Sequence, residues 1–191
     1  EQCLTPELLA RPQLTLIDPA CGSGEFLRES IRQLSLHNYR GALRIVGFDV
    51  SLPAILMARF ALAHETRGWE GRVTVEIEQC DALSTDWPQQ VDICLMNPPY
   101  ASWRSLSVSA RALLTESLGS LAQSRRDRSC AFLTKGVESL APQGMMGAVL
   151  PASLLDGKSA EPLRERLDAL AFKQVVVRLG NQSIFDQATV D

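Results

Sequence analysis

The sequence Asn97-Pro98-Pro99-Tyr100 combines residue types that can act on a planar amine. It directly follows an apolar run, Val91–Met96, which predicts a buried strand. The Asn97 side-chain oxygen and the Pro98 carbonyl can each accept a hydrogen bond from an exocyclic amine, and Tyr100 offers a flat surface for the ring that carries it. Because prolines restrict the backbone, the acceptors are held in place before a substrate arrives.

A glycine-containing loop, residues 18–26, follows the first predicted strand. Gly22 and Gly24 allow the backbone to turn tightly and to approach a ligand closely. A dinucleotide fingerprint would need a third glycine where this chain has Leu27. The acid Asp18 suits a cationic or zwitterionic ligand better than a pyrophosphate. Taken alone, the loop is also compatible with a plain turn between a strand and a helix.

Two more acids, Asp49 and Asp81, follow the second and third predicted strands. Asp49 can accept hydrogen bonds from both ribose hydroxyls of an adenosine, and Asp81 can accept one from an adenine amine. Each acid alone would more often cap a helix or lie in a solvated loop. Three acids at the ends of three successive strands outline an adenosine-sized ligand with a positive centre. S-adenosylmethionine fits that outline.

The elements that position these residues alternate between strands and helices. Strands are predicted at 14–17, 44–48, 73–77, 91–96, 145–150 and 174–179, and helices at 26–34, 55–63, 109–120, 131–140 and 161–170, with Pro142-Gln143-Gly144 as a helix stop. This alternation predicts the α/β class, with a doubly wound, mostly parallel sheet covered by helices on both faces. Such sheets bind ligands at the carboxyl ends of their strands.

Composition narrows the class of protein further. The 191 residues are 46% hydrophobic, which is enough for one well-buried domain. The net charge of −3 gives no overall attraction to nucleic acid or to an anionic membrane. Five cysteines without a CxxC pair and two unpartnered histidines, His37 and His64, argue against disulfides and a metal site and favour the cytoplasm. Neither a membrane-spanning run nor a signal peptide is evident.

In these motifs and their order, the chain resembles the gamma class of N6-adenine DNA methyltransferases. Residues 18–26 look like the first motif of that family, Asp49 its second, Asp81-Ala82 its third and Asn97-Pro98-Pro99-Tyr100 its fourth. The resemblance implies a Rossmann-like, S-adenosylmethionine-dependent methyltransferase fold. It also implies methyl transfer to N6 of a flipped-out adenine in DNA, as part of a restriction-modification or phage-defence system.

The resemblance assigns further roles. Thr5 would help to hold the methionine end of the cofactor, Ala20 and Ala82 would belong to the cofactor site, and Phe185 would face the second side of the flipped base. We expect a cofactor half at 1–96 and a substrate half at 97–191 of one catalytic domain. Because the chain begins at Glu1 rather than Met, we expect it to be a piece of a longer protein. The last strand of the fold and a target recognition domain or specificity subunit would then lie outside it.

Other functions stay open at this stage. Methyltransferases that act on a protein glutamine or on ribosomal RNA use the same kind of corner, and a truncated domain could bind a cofactor or partner protein without turnover. The motif at residues 18–24 and the long insert at 101–129 favour adenine in DNA. In that insert, Arg125, Arg126 and Arg128 form a basic cluster that is either a solvated face or a contact to DNA phosphates.

Overall fold

A five-stranded parallel sheet forms the centre of the molecule. The computed structural model describes residues 2–101, 103, 106–119, 121, 127–172 and 175–178. Within these residues the strand order is β3-β2-β1-β4-β5, and every neighbouring pair is parallel. The strands are β1 (Gln13–Asp18), β2 (Ala42–Asp49), β3 (Val73–Gln79), β4 (Val91–Met96) and β5 (Leu140–Ala148). The predicted α/β class and parallel sheet are confirmed.

Helices connect the strands and cover the sheet. They are α1 (Pro6–Leu9), α2 (Glu25–Leu36), α3 (Leu52–Glu65), α4 (Val108–Leu118), α5 (Arg128–Ser139), α6 (Ser153–Asp156) and α7 (Glu161–Leu170), with short 3₁₀ turns at Ala82–Ser84 and Lys158–Ala160. The longer helices lie where the apolar periodicity predicts them, and their ends differ by a few residues. Side-chain caps account for several of the starts: Ser51 caps α3, Ser107 caps α4 and Asp127 caps α5.

Each face of the sheet has its own apolar core. Leu16 of β1 packs in one core with Ile55 of α3 and with residues of α2. Ile17, the next residue, packs in the opposite core with Phe132 of α5 and with residues of α4 and α7. Successive side chains of a strand point to opposite faces, so a strand buried on both faces reads as a continuous apolar run. The sheet is therefore doubly wound.

The chain order places the topological switch point beside β1. From β1 the chain continues outward through β2 and β3 on one side, and then returns to build β4 and β5 on the other. Because the strands are parallel, their carboxyl ends meet at one edge of the sheet. Asp18, Asp49 and Met96 are the last residues of β1, β2 and β4. Ligands bind in the crevice at such a point in open α/β sheets.

The fifth strand differs from its predicted position. It spans Leu140–Ala148 rather than 145–150, and Pro142-Gln143-Gly144 lies inside it. The helix stop was therefore placed too late, because α5 already ends at Ser139. The register with β4 shifts here: Val91 pairs with Leu140, but Ile93 pairs with Met145. This irregular stretch accommodates a proline without an N–H group and Gln143 at φ 62°.

The sixth predicted strand is not found in its described part. Residues 175–178 are not assigned to a strand, and Gln174 and Leu179 lie outside the described residues. The side chains of Val175, Val176 and Val177 are 57%, 52% and 65% exposed. An apolar run therefore does not form a strand here, because no neighbouring strand among the described residues pairs with it.

A charged cluster ties the strands together at the opposite edge of the sheet. Asp92, near the start of β4, accepts a hydrogen bond from the Thr15 N–H group of β1 at 2.6 Å. It also pairs with the guanidinium of Arg11, which donates to the Pro142 carbonyl of β5 at 2.6 Å. The Asp92 side chain is 8% exposed. Buried charges of this kind are tolerated when they are paired and hydrogen-bonded.

We predict that Asp92→Ala lowers the free energy of unfolding by about 3 kcal/mol, because Arg11 and the Thr15 N–H group lose their acceptor. The matched control is Glu76→Ala, which breaks the half-exposed pair between Arg44 Nη2 and Glu76 Oε2 at 2.8 Å. That change should cost at most about 1 kcal/mol. Urea unfolding of both variants is the measurement, and equal losses would contradict the assignment.

Candidate functional site

Backbone hydrogen bonds hold the loop that follows β1. The Cys21 N–H group donates to the Phe48 carbonyl at 2.9 Å. Gly22 and Gly24 have φ values of 51° and 86°, in the left-handed region that favours glycine. A Cβ on Gly24 would lie 3.2 Å from the Ala58 Cβ of α3, whereas one on Gly22 would meet open space. Gly24 thus lets α2 pack against α3, and the space next to Gly22 is open.

Asp18 lies buried beneath this loop. The residue is only 2% exposed. Its Oδ1 accepts a hydrogen bond from the Ala20 N–H group at 3.0 Å. Burial raises the pKa of this carboxyl to about 7; the Ala20 bond opposes the rise and the charge of Asp49 adds to it. Within the described residues no cation pairs with Asp18. The acid is therefore half protonated near neutral pH.

Asp49 joins the first two loops. Its Oδ2 accepts a hydrogen bond from the Gly22 N–H group at 3.0 Å, and its Oδ1 accepts one from the Ser51 N–H group at 2.8 Å. Ser51 in turn caps the start of α3. Each carboxylate oxygen has a second lone pair. Asp49 can therefore fix the loops and still accept hydrogen bonds from a ligand.

Asp81, two residues beyond the end of β3, is held from two sides. Its Oδ1 accepts hydrogen bonds from the Leu83 N–H group at 3.0 Å and from Arg128 Nη2 at 2.6 Å. The Arg128 side chain is 12% exposed, and its guanidinium lies 5.8 Å from the ring centroid of Phe132. This position favours a role at Asp81 over the predicted contact of Arg128 with DNA phosphate. Because its side chain is mostly buried, Arg128 also does not belong to a solvated face, the other predicted alternative.

The turn that begins at Asp81 is further braced by α5. The Ala82 carbonyl accepts hydrogen bonds from Trp87 Nε1 at 2.7 Å and from Lys135 Nζ at 3.2 Å. Lys135 Nζ also donates to the Thr85 carbonyl at 2.5 Å and lies 5.2 Å from the Trp87 ring centroid. Burial lowers the pKa of Lys135, and the charges of Asp86 and Asp81 oppose that shift. The partly buried ammonium thus fixes the turn through hydrogen bonds to the Ala82 and Thr85 carbonyls.

The corner after β4 presents its amide to solvent. Asn97 and Pro99 are exposed, and Pro98 is buried. The Tyr100 hydroxyl lies 2.6 Å from Asn97 Oδ1 and 2.9 Å from the Val149 carbonyl oxygen. Because a hydroxyl has one hydrogen, it fully serves only one of these acceptors at a time. Burial raises the pKa of Tyr100, which keeps this hydrogen in place. The stacking role of Tyr100 stays a prediction.

A cleft of about 430 Å³ brings the separate motifs together. The predicted site residues that line it are Ala20, Asp49, Asp81, Ala82, Asn97, Pro99 and Arg128, the last of which was predicted as a phosphate contact. Its volume falls within the range of small-molecule sites. The predicted residues that do not line it are Thr5, Asp18, Gly22, Gly24, Pro98 and Tyr100. Three of these six contact residues that line the cleft: the Gly22 N–H group donates to Asp49, the Tyr100 hydroxyl contacts Asn97, and Asp18 accepts from the Ala20 N–H group.

Three predicted site residues cannot be placed. Phe185, Arg125 and Arg126 lie outside the described residues. Thr5 is described, and its Oγ1 accepts a hydrogen bond from the Leu8 N–H group at 3.3 Å as the cap of α1. The observed contact of Thr5 is therefore structural, and its role toward the cofactor stays a prediction.

Sequence reasoning missed several residues at this site. Val50, Cys80 and Phe132 add apolar surface to the cleft. The sequence predicts Arg128 as a phosphate contact, but not its position in the cleft wall beside Asp81. A signal for the α5 contribution does exist in the sequence. Arg128, Phe132 and Lys135 are spaced i, i+4 and i+7, which places them on one face of a helix. Because this face is otherwise apolar, the two cations Arg128 and Lys135 need acidic or carbonyl partners.

In the described part of the chain, no three His, Cys, Asp or Glu side chains come together as a metal site would need. No helix in the same part is long and apolar enough to span a bilayer. The five cysteines are thiols that are not joined in disulfide bonds.

A sequence model described as N-6 DNA Methylase matches residues 4–190. The chain belongs to the N-6 DNA methylase family. The Type II methyltransferase M.VspI of Vibrio sp. (strain 343) is 27% identical to this chain over 157 residues. That match covers 80% of the chain and 35% of M.VspI, so the chain spans about a third of the length of this curated relative.

Two solved structures share the fold of this chain. A type I restriction-modification methyltransferase subunit from Streptococcus thermophilus matches with a TM-score of 0.61 and 24% identity, over 86% of this chain and 38% of the subunit. A protein from Listeria monocytogenes, described as a class I S-adenosylmethionine-dependent methyltransferase, matches with a TM-score of 0.63 and 17% identity, over 82% and 45%. At these identities they show the fold alone. The predicted Rossmann-like methyltransferase fold is confirmed.

We predict that Asp18 makes the protein less stable as the pH rises from about 4 to about 7. The native state holds the proton with a pKa of about 7, against 3.8 for the unfolded chain. The free energy of unfolding is therefore highest below the pKa of the unfolded chain. It falls by at most about 4 kcal/mol as the pH rises to the native pKa. Asp18→Asn should remove this slope and be the more stable protein at pH 8. Urea unfolding at pH 5, 6, 7 and 8 measures it, and parallel curves for the two proteins would refute it.

Proposed function

We propose that this chain is the catalytic part of an enzyme that transfers a methyl group from S-adenosylmethionine to N6 of adenine in DNA. The observation that carries the proposal is the single cleft that contains Asp49, Asp81 and Asn97. Two carboxylates suit an adenosine, and an exposed amide at the same cleft suits a planar amine. Membership of the N-6 DNA methylase family supports the same reaction.

The residues present fit S-adenosylmethionine. Asp49 has lone pairs left for ribose hydroxyls, and Asp81 has Oδ2 left for an adenine amine. Asp18, a buried acid without a cationic partner among the described residues, suits the positive charge of the ligand. The backbone at Ala20, Gly22 and Gly24 would approach it, with Thr5 toward its methionine end. When bound, S-adenosylmethionine supplies an electrophilic methyl group on a sulfonium.

Asn97 and Pro98 would prepare the nucleophile. The N6 lone pair of adenine is delocalised into the ring, which makes the amine a poor nucleophile. Hydrogen bonds from N6 to Asn97 Oδ1 and to the Pro98 carbonyl would draw the nitrogen toward tetrahedral geometry and localise that lone pair. For Asn97 Oδ1 to accept from N6, the Tyr100 hydroxyl would donate to the Val149 carbonyl instead. The reaction then needs mainly positioning and electrostatics.

The substrate would be a flipped-out base, since a base inside a duplex cannot enter such a cleft. Tyr100 and Phe185 would stack on its two sides, and Arg125 and Arg126 would contact phosphates. We assign residues 1–96 to the cofactor half and 97–191 to the substrate half. The whole enzyme would act in the cytoplasm in a restriction-modification or phage-defence system. A target recognition domain or specificity subunit would select the DNA site.

The test is transfer of labelled methyl from S-adenosylmethionine to DNA, RNA and protein, with the modified atom identified by mass spectrometry. We expect N6-methyladenine in DNA. Asn97→Ala should reduce transfer by at least about 100-fold, because it removes an acceptor that acts in the transition state. Its affinity for S-adenosylhomocysteine should stay within about twofold. Label on glutamine, on cytosine or on RNA adenine would refute the proposal, and so would binding without transfer by the whole protein.

Asp49→Asn tests the ribose assignment. We predict that it weakens S-adenosylhomocysteine binding at least about tenfold, because a carboxylate acceptor of charge-assisted hydrogen bonds is lost. Isothermal titration with an analogue that lacks the ribose hydroxyls is the control. This analogue should bind to both proteins with similar affinity. If the substitution weakens both ligands equally, Asp49 acts through the loops alone and the ribose assignment fails.

A further inference from the structure

Arg128 and Asp81 form the tightest charged contact described at the cleft. Arg128 Nη2 and Asp81 Oδ1 lie 2.6 Å apart although the residues are 47 positions apart in sequence. Both side chains are largely withdrawn from solvent, at 12% and 26% exposed. Both residues also line the cleft. A pair with this geometry is screened less by salt than one at the surface.

The location of Arg128 is electrostatically unfavourable for a helix alone. It occupies the first position of α5, next to the cap residue Asp127. The amino end of a helix carries a partial positive charge and disfavours a cation. Asp81 and the ring of Phe132 offset this cost. The guanidinium is therefore held toward the cleft wall by specific partners.

The hydrogen bonds that the described residues donate to the Asp81 carboxylate end on one of its two oxygens. Those given by the described residues, from Leu83 N–H and Arg128 Nη2, both end on Oδ1. Oδ2 is thus the oxygen of this carboxylate that they leave available. Farther along the same helix, Lys135 holds the Ala82 and Thr85 carbonyls. Helix α5 therefore fixes both the carboxylate and the turn that follows it.

We infer that Arg128 is a positioning residue that orients the Asp81 carboxylate, so that Oδ2 accepts a hydrogen bond from the adenine amine of the methyl donor. This inference rests on the proposed function. It assigns α5 to the support of the cofactor site, although α5 follows the catalytic corner in sequence. It also replaces a DNA contact for Arg128 by a role toward the cofactor.

Binding measurements on the full chain test this role. Arg128→Met should weaken the binding of S-adenosylmethionine, S-adenosylhomocysteine and adenosine by about tenfold each, because all three share the adenine ring. Arg128→Lys keeps the charge and one donor, and should recover part of the loss. An effect of net charge alone would change the affinity of the cationic ligand and leave that of neutral adenosine unaltered. That outcome would overturn the inference.

A double-mutant cycle with Asp81→Asn separates orientation from folding. If Arg128 acts through Asp81, the double variant should bind adenosine no more weakly than Asp81→Asn alone. Additive losses would overturn the inference. Arg166→Met is the matched control, since Arg166 Nη2 pairs with Glu138 Oε1 of α5 at 2.8 Å with about half of each side chain exposed. It should leave adenosine affinity unchanged. Urea unfolding verifies that each variant is folded at the assay temperature.

The salt dependence of DNA binding distinguishes this role of Arg128 from its predicted contact with a DNA phosphate. In Arg128→Met the slope of log K against log salt should equal that of the unaltered protein. A slope smaller by about one would assign the guanidinium to a phosphate and overturn the inference.

The proposed function and the role of Arg128 fail in different ways. If the unaltered protein binds none of the three ligands, the proposed function fails. If it binds them and Arg128→Met binds equally well, only the role of Arg128 fails.

Discussion

The parallel pairing of β1 with β2 and β4 is the constraint on which the site depends. It brings the ends of these strands to one edge, although their sequences are far apart. Asp49 then joins the loops after β1 and β2 through the Gly22 and Ser51 N–H groups. The cleft is thus lined mainly by residues that follow the strands of the sheet. Two of its polar side chains are also held by other side chains, Asp81 by Arg128 and Asn97 by Tyr100.

Support for the cleft comes from both sides of the sheet. Gly24 allows α2 and α3 to approach closely, which fixes the first loop. On the opposite face, α5 holds the turn after β3 through Arg128 and Lys135. The proposed division into a cofactor half and a substrate half is therefore a division of sequence, and in the fold α5 of the second half contacts the turn after β3 of the first.

The sequence predicts those parts of the structure that follow from local pattern. The strand at Val91–Met96 has the predicted bounds because its residues are apolar except for Asp92 and are mostly buried on both faces. The position of Pro142-Gln143-Gly144 could not be predicted, because a register shift against β4 places it inside a strand. The contact between Arg128 and Asp81 joins distant residues, so only the α5 spacing hints at it. The Tyr100 hydroxyl bond to Asn97 likewise depends on how the corner folds.

Asp18 has a consequence for protein engineering. A carboxyl that is 2% exposed and has no cation beside it in the described residues is a source of instability that the free protein retains. Selection for thermostability at alkaline pH would favour the loss of this acid. If Asp18 faces the cofactor as proposed, such variants would gain stability and lose ligand affinity. Stability screens on this fold should therefore be scored for cofactor retention as well, since Asp18 is also a proposed cofactor-binding residue.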